Sequence, residues 1–105
     1  DHRAPIGVDI QLPAKKLQDV REKFLSENEV KDSGNDMETL CIYWCAKEAI
    51  YKAHGGKGVS LKEDIHIQEF EKNDQGIVRG VLRNKPFVVH YSFYDHHVLT
   101  WSREA

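Results

Sequence analysis

A carboxylate and an ammonium spaced four residues apart, Glu48 and Lys52, sit in an otherwise apolar helical stretch that begins near Met37. On a helical wheel Met37, Leu40, Cys41, Trp44 and Tyr51 fall on one side, and Ile42, Ala46, Ala49, Ile50 and Ala53 on the other. A helix apolar nearly all round belongs in the middle of a domain. Glu48 projects from the centre of the Met37/Cys41/Trp44 stripe, where a carboxylate needs partners. Two chemistries fit. One is an i,i+4 ion pair adding about 0.2–0.5 kcal/mol to an exposed helix. The other is a metal ligand or general base beside an ammonium that binds phosphate. Spacing alone leaves both open.

A second acid stands near the start of the chain. Ile6, Val8 and Ile10 alternate with Gly7, Asp9 and Gln11, as in a half-buried strand, so Asp9 and Gln11 point the same way. The other candidates are weaker. Asp95, His96 and His97 are adjacent, and neighbouring residues of a strand or turn face opposite sides, which disfavours a shared ion. His90, in an apolar strand, reads as a partly buried, hydrogen-bonded residue. Cys41 and Cys45 lack a second pair to complete a zinc set and read as buried free thiols. The glycines at 55, 56 and 58 follow a helix instead of preceding one, so they mark a helix stop and not a phosphate loop.

The elements that must position these residues follow from periodicity. After the first strand, Pro13 opens a helix whose stripe is Leu17, Val20, Phe24 and Leu25 and whose outer side carries Lys15, Lys16, Arg21 and Lys23. Ser26 and Glu29 have the capping-box spacing for a short second helical turn, residues 31–35 read as a turn, and Asn35 or Asp36 caps the central helix. Strands over residues 65–70, 77–82, 87–94 and 98–102 then form an antiparallel meander, one face of which packs on the central helix. The fold class is therefore α+β: an N-terminal strand, two to three helices including a buried central one, then the meander.

With 105 residues, 40% hydrophobic and 30% charged, the chain makes one domain with one core. No apolar run approaches the roughly 20 residues of a membrane span. A net charge of -2 disfavours bulk nucleic-acid binding and requires any electrostatic partner to meet a local patch.

Taken in order, Gly7-Val8-Asp9-Ile10, Phe24-Leu25-Ser26-Glu27-Asn28-Glu29, and Trp44-Cys45-Ala46-Lys47-Glu48-Ala49 with Lys52 resemble the motif series of the 4'-phosphopantetheinyl transferase superfamily, over nearly the whole chain. The resemblance implies Mg²⁺-dependent transfer of phosphopantetheine from coenzyme A to a serine of an acyl or peptidyl carrier protein in the cytoplasm, for fatty acid or secondary metabolite synthesis. It implies that Asp9 and Glu48 bind the metal, that Glu48 helps deprotonate the serine, and that Lys52 neutralises phosphate charge. Many two-lobed members carry an acid two residues after the strand Asp. Gln11 stands there, and its amide oxygen is a weaker ligand for Mg²⁺.

The Trp44 motif resembles the C-terminal lobe of that two-lobed branch. Residues 1–105 then form one lobe of a longer chain, and the isolated lobe is expected to be a homodimer or larger with little or no transfer activity. The resemblance also suggests carrier docking beside Lys15, Lys16, Arg21 and Lys23. The competing readings are a non-catalytic interaction module, with Glu48 and Lys52 a structural pair, and a short homo-oligomeric carrier synthase.

Overall fold

The computed structural model describes residues 5–105 and confirms the α+β class; the chain start without Met, residues 1–4, lies outside them. Strand β1 (Gly7–Gln11) leads into helices α1 (Lys15–Phe24), α2 (Glu27–Ser33) and α3 (Met37–Ala53), and the chain ends in strands β2 (Ile65–Ile67), β3 (Gln75–Leu82), β4 (Lys85–Tyr94) and β5 (His97–Glu104). All five strands join one antiparallel sheet in the order β1-β5-β4-β3-β2. The N-terminal strand thus closes against the C-terminal one, Asp9 opposite Thr100.

Helix α3 lies across one face of this sheet. Leu40, Ile42, Tyr43, Ala46 and Ile50 are buried there with Val78, Val89 and Val98. Its wheel, apolar on both sides, is explained by what covers it: the sheet on one side, and Phe24 of α1, packed edge-on to Trp44 at 5.1 Å, on another.

Local signals worked where side chains bond their own backbone. Ser26 and Glu29 form the reciprocal capping box, Ser26 accepting from the Glu29 N–H and Glu29 from the Ser26 N–H, and Asp36 caps α3 through the Thr39 N–H at 3.0 Å. Several boundaries differ from expectation: β3, β4 and β5 run longer than the 77–82, 87–94 and 98–102 expected, at Gln75–Leu82, Lys85–Tyr94 and His97–Glu104. Pro13 precedes the cap, Ala14, so it stands outside α1. Residues 31–33 continue α2, whose turn begins only at Gly34, because the capping box had started a full helix. Strand β2 stops at Ile67, and the Gln68 N–H instead bonds the Arg79 carbonyl at 2.9 Å.

The larger difference concerns β1. Its inward face is Gly7, Asp9 and Gln11, while Ile6, Val8 and Ile10 are 58%, 51% and 53% exposed on the far side of the sheet. Contact with α3 decides the orientation. A Cβ on Gly7 would stand 1.8 Å from the Ala49 carbonyl oxygen and 2.6 Å from the Ala53 nitrogen, both helix backbone that cannot move aside. Only glycine fits, and period-two alternation then sends Asp9 and Gln11 the same way. Gly7→Ala is expected to cost at least about 2–3 kcal/mol in urea unfolding. A loss under about 0.5 kcal/mol would show that β1 does not rest on α3 in this manner.

Candidate functional site

Where β1 crosses α3, the side chains of Asp9, Glu48 and Lys52 come together. Lys52 Nζ donates to Asp9 Oδ1 at 2.7 Å and to the Val8 carbonyl at 3.1 Å. No ion pair joins Glu48 to Lys52 among the described residues; the ammonium crosses to the strand. A simple i,i+4 helix pair is therefore not what these residues form. Burial raises the Glu48 carboxyl, the Asp9 charge raises it further, and Lys52 only partly offsets them. Lys52 is held above the usual lysine range, chiefly by its bond to Asp9.

Asp9 is nearly enclosed, its side chain 12% exposed, whereas that of Lys52 is 47% exposed. The second carboxylate oxygen, Asp9 Oδ2, is buried without a hydrogen-bond partner. A buried anionic oxygen left unpaired costs free energy, and a hard cation would satisfy it. Two carboxylates form a minimal donor set. Among the described residues no group of three or more His, Cys, Asp or Glu side chains is placed to hold a metal. That pattern does not suit zinc. It fits Mg²⁺, which takes one or two carboxylates and completes its shell with waters and substrate phosphates.

Gln11 lies on the same strand face, two residues beyond Asp9 and half-buried, and its backbone carbonyl faces the Cys41 thiol at 3.7 Å. The thiols of Cys41 and Cys45 are free and buried behind the site, and that of Cys45 is pushed far up by its hydrogen bond with Cys41 and by burial. His90 and His96 stay apart from the acids. Asp95 and His96 occupy the β4–β5 turn with φ of 49° and 65°, and His90 stacks on Trp101 at 4.0 Å on the opposite sheet face.

Of the basic residues on α1, Lys16 and Lys23 are exposed, Lys15 pairs with Asp19 at 3.2 Å, and Arg21 bonds Asn35 Oδ1 at 2.9 Å. All four belong to α1, apart from the acidic pair on β1 and α3.

A buried ion pair escaped the sequence reading. Lys47, fully buried, donates to Glu29 Oε1 at 2.6 Å and to the Leu61 carbonyl at 2.7 Å. Glu29 also accepts from the Ile67 N–H at 2.7 Å. Burial lowers the Lys47 pKa and Glu29 opposes the shift. One bond network thus joins α2, α3, the following loop and β2, fixing the rotation of α3 that presents Glu48. The available signal was Lys47 itself, at helical spacing between Tyr43 and Ile50 in a buried stripe.

The raised Glu48 carboxyl has a consequence for pH. The folded protein holds this proton more tightly than the unfolded chain, so the group's ionisation subtracts stability as pH rises through the carboxylate range, and has no effect where both states are protonated. Glu48→Gln should therefore melt above the parent near neutral pH and converge with it below about pH 4. A parent that melts higher at neutral pH would mean that the ionised carboxylate is already paired.

The sequence model of the 4'-phosphopantetheinyl transferase superfamily matches residues 5–104, all but the extreme ends. No curated protein matches the chain. The match spans every strand and helix described above, including β1 with Asp9 and α3 with Glu48 and Lys52. The chain belongs to the 4'-phosphopantetheinyl transferase superfamily.

Proposed function

We propose that this chain transfers 4'-phosphopantetheine from coenzyme A to a serine of an acyl or peptidyl carrier protein, with Mg²⁺ held by Asp9 and Glu48. The observation that supports this most is the unpaired, buried Asp9 Oδ2 beside a carboxylate and an ammonium. Gln11 would add an amide oxygen or hold a metal-bound water. Magnesium bound there would neutralise the pyrophosphate oxygens and stabilise charge building on the leaving group.

The remaining steps use this chain's own residues. Glu48, directly or through a bound water, takes the proton from the carrier serine hydroxyl. The serine oxygen bonds to the phosphorus that carries the pantetheine arm. The bond from that phosphorus to the bridging oxygen breaks, and 3',5'-ADP leaves with that oxygen. Lys52 keeps Asp9 oriented through Oδ1, and its exposed ammonium reaches phosphate from the solvent side. Lys15, Lys16, Arg21 and Lys23 form the acidic carrier's docking face; Lys16 and Lys23 are the freer members, since Lys15 and Arg21 are partly committed to Asp19 and Asn35.

The chain further reads as the C-terminal lobe of a two-lobed cytoplasmic enzyme. Val8, Trp101, His90 and Ile77 form a cross-strand row on the sheet face away from α3, and Val8 and Ile77 are more than half exposed. Another lobe would cover that row, and in its absence a second copy takes its place. No helix among the described residues is long and apolar enough to cross a membrane.

Coenzyme A with Mg²⁺ should raise the melting temperature by more than about 5 °C at roughly a hundredfold excess over Kd, and chelation by EDTA should abolish the shift. In the complete enzyme, Glu48→Gln should remove carrier modification while keeping the fold. Absence of any magnesium-dependent shift would favour a non-catalytic interaction module. Sedimentation should give the mass of a dimer or larger; a monomer competent in transfer would overturn the lobe assignment.

A further inference from the structure

Thr100 has the features of a positioning residue, although it carries no charge and stands in none of the family's motif stretches. It is fully buried on β5, directly opposite Asp9 in the strand register. Its Oγ1 lies 3.2 Å from the Cys45 carbonyl of α3 and 3.3 Å from the Asp9 carbonyl of β1. One hydroxyl proton is shared between two backbone acceptors on the two elements that carry the acids. Cys45 precedes Glu48 by less than one helical turn, so this tie sets the height of α3 against β1 at the level of the site.

We infer that Thr100 sets the separation of Asp9 from Glu48 by cross-tying β1 to α3 through its buried hydroxyl, and so tunes cation affinity without touching the cation. This rests on the reading of the acidic pair given above. Two ligands drawn from different elements converge only if the elements keep their spacing. Groups that orient metal ligands typically change affinity about 10–100-fold when removed. Gly7 sets how closely β1 approaches α3, and Thr100 sets where along the helix Asp9 comes to rest. A hydroxyl on a buried sheet face costs free energy unless bonded, so the tie is under tension to stay formed.

Ser102 supplies the control. It lies two residues on in the same strand and is equally buried, but its hydroxyl donates to the Val88 carbonyl of β4 at 3.0 Å, away from Asp9 and α3. Removing the Ser102 hydroxyl deletes one bond within the sheet, and removing that of Thr100 deletes the one shared with the Asp9 and Cys45 carbonyls; only the latter touches the acidic site.

Mn²⁺ binding to the full chain, followed by electron paramagnetic resonance with Mg²⁺ in competition, tests the inference without requiring turnover. Thr100→Val should weaken both ions by about tenfold, Thr100→Ala to a similar degree, and Thr100→Ser should restore the parent affinity. Ser102→Ala should lower the unfolding midpoint yet leave metal affinity unchanged. Parent-like Mn²⁺ binding in Thr100→Val or Thr100→Ala, or an equal loss in Ser102→Ala, would overturn the role of Thr100. Asp9→Asn separates the two layers of argument. If it binds Mn²⁺ as the parent does, the site itself is misassigned; if it loses Mn²⁺ while Thr100→Val keeps it, only the positioning role fails.

Discussion

Backbone-to-backbone contact between β1 and α3, made possible by Gly7, governs how the rest of the molecule sits. Any side chain at that position would occupy the space of the Ala49 carbonyl and the Ala53 nitrogen. Glycine removes the obstacle, the strand settles on the last turns of the helix, and alternation then turns Asp9 toward Lys52. The same contact explains why three aliphatic residues of β1 face outward. Burying Ile6, Val8 and Ile10 against α3 would gain apolar area, but it would need a wider gap and would expel Asp9 from the helix. Close packing at Gly7 outweighs local hydrophobicity at this strand.

Two adjacent residues of α3 show how the helix divides its charges. Lys47 and Glu48 lie about 100° apart on the helix, and their environments differ accordingly. Lys47 is inside, bonded to a carboxylate and a carbonyl, with burial and Glu29 pulling its pKa in opposite directions. Such a pair is a weak source of net stability, because desolvation consumes most of the Coulombic gain; its effect is to lock one arrangement of α2, α3 and β2. Glu48 is half-buried at the edge of the core, its carboxyl raised by burial and by the Asp9 charge. The buried charge holds the helix still while the other keeps access to solvent.

The sheet has two faces with different work. Inner residues Gly7, Thr100, Val89 and Val78 lie on the sheet face toward α3, and the row from Val8 through Trp101 and His90 to Ile77 looks away from it. Helix α3 shields only the inner side. An antiparallel sheet tolerates water on one face, but a row holding Trp and aliphatic side chains is more apolar than solvent contact alone would select.

By itself the sequence determined the α+β class, the buried central helix, the capping box, a cap at Asn35 or Asp36 and the strand meander, because these depend on periodicity and on side chains that bond backbone three residues away. It also carried the family, through motifs whose order survives in one dimension. Tertiary structure alone decided which face of β1 turns inward, since alternation defines two faces but not which is buried; the backbone clearance at Gly7 does that. It decided that Lys52 answers Asp9, 43 residues away, and not its helical neighbour Glu48. Likewise the Lys47–Glu29 pair and the Thr100 tie join residues 18 and 55 or more positions apart. No local pattern encodes such pairings, because a side chain's partner is set by what the folded chain brings within about 3 Å, and that is a property of packing.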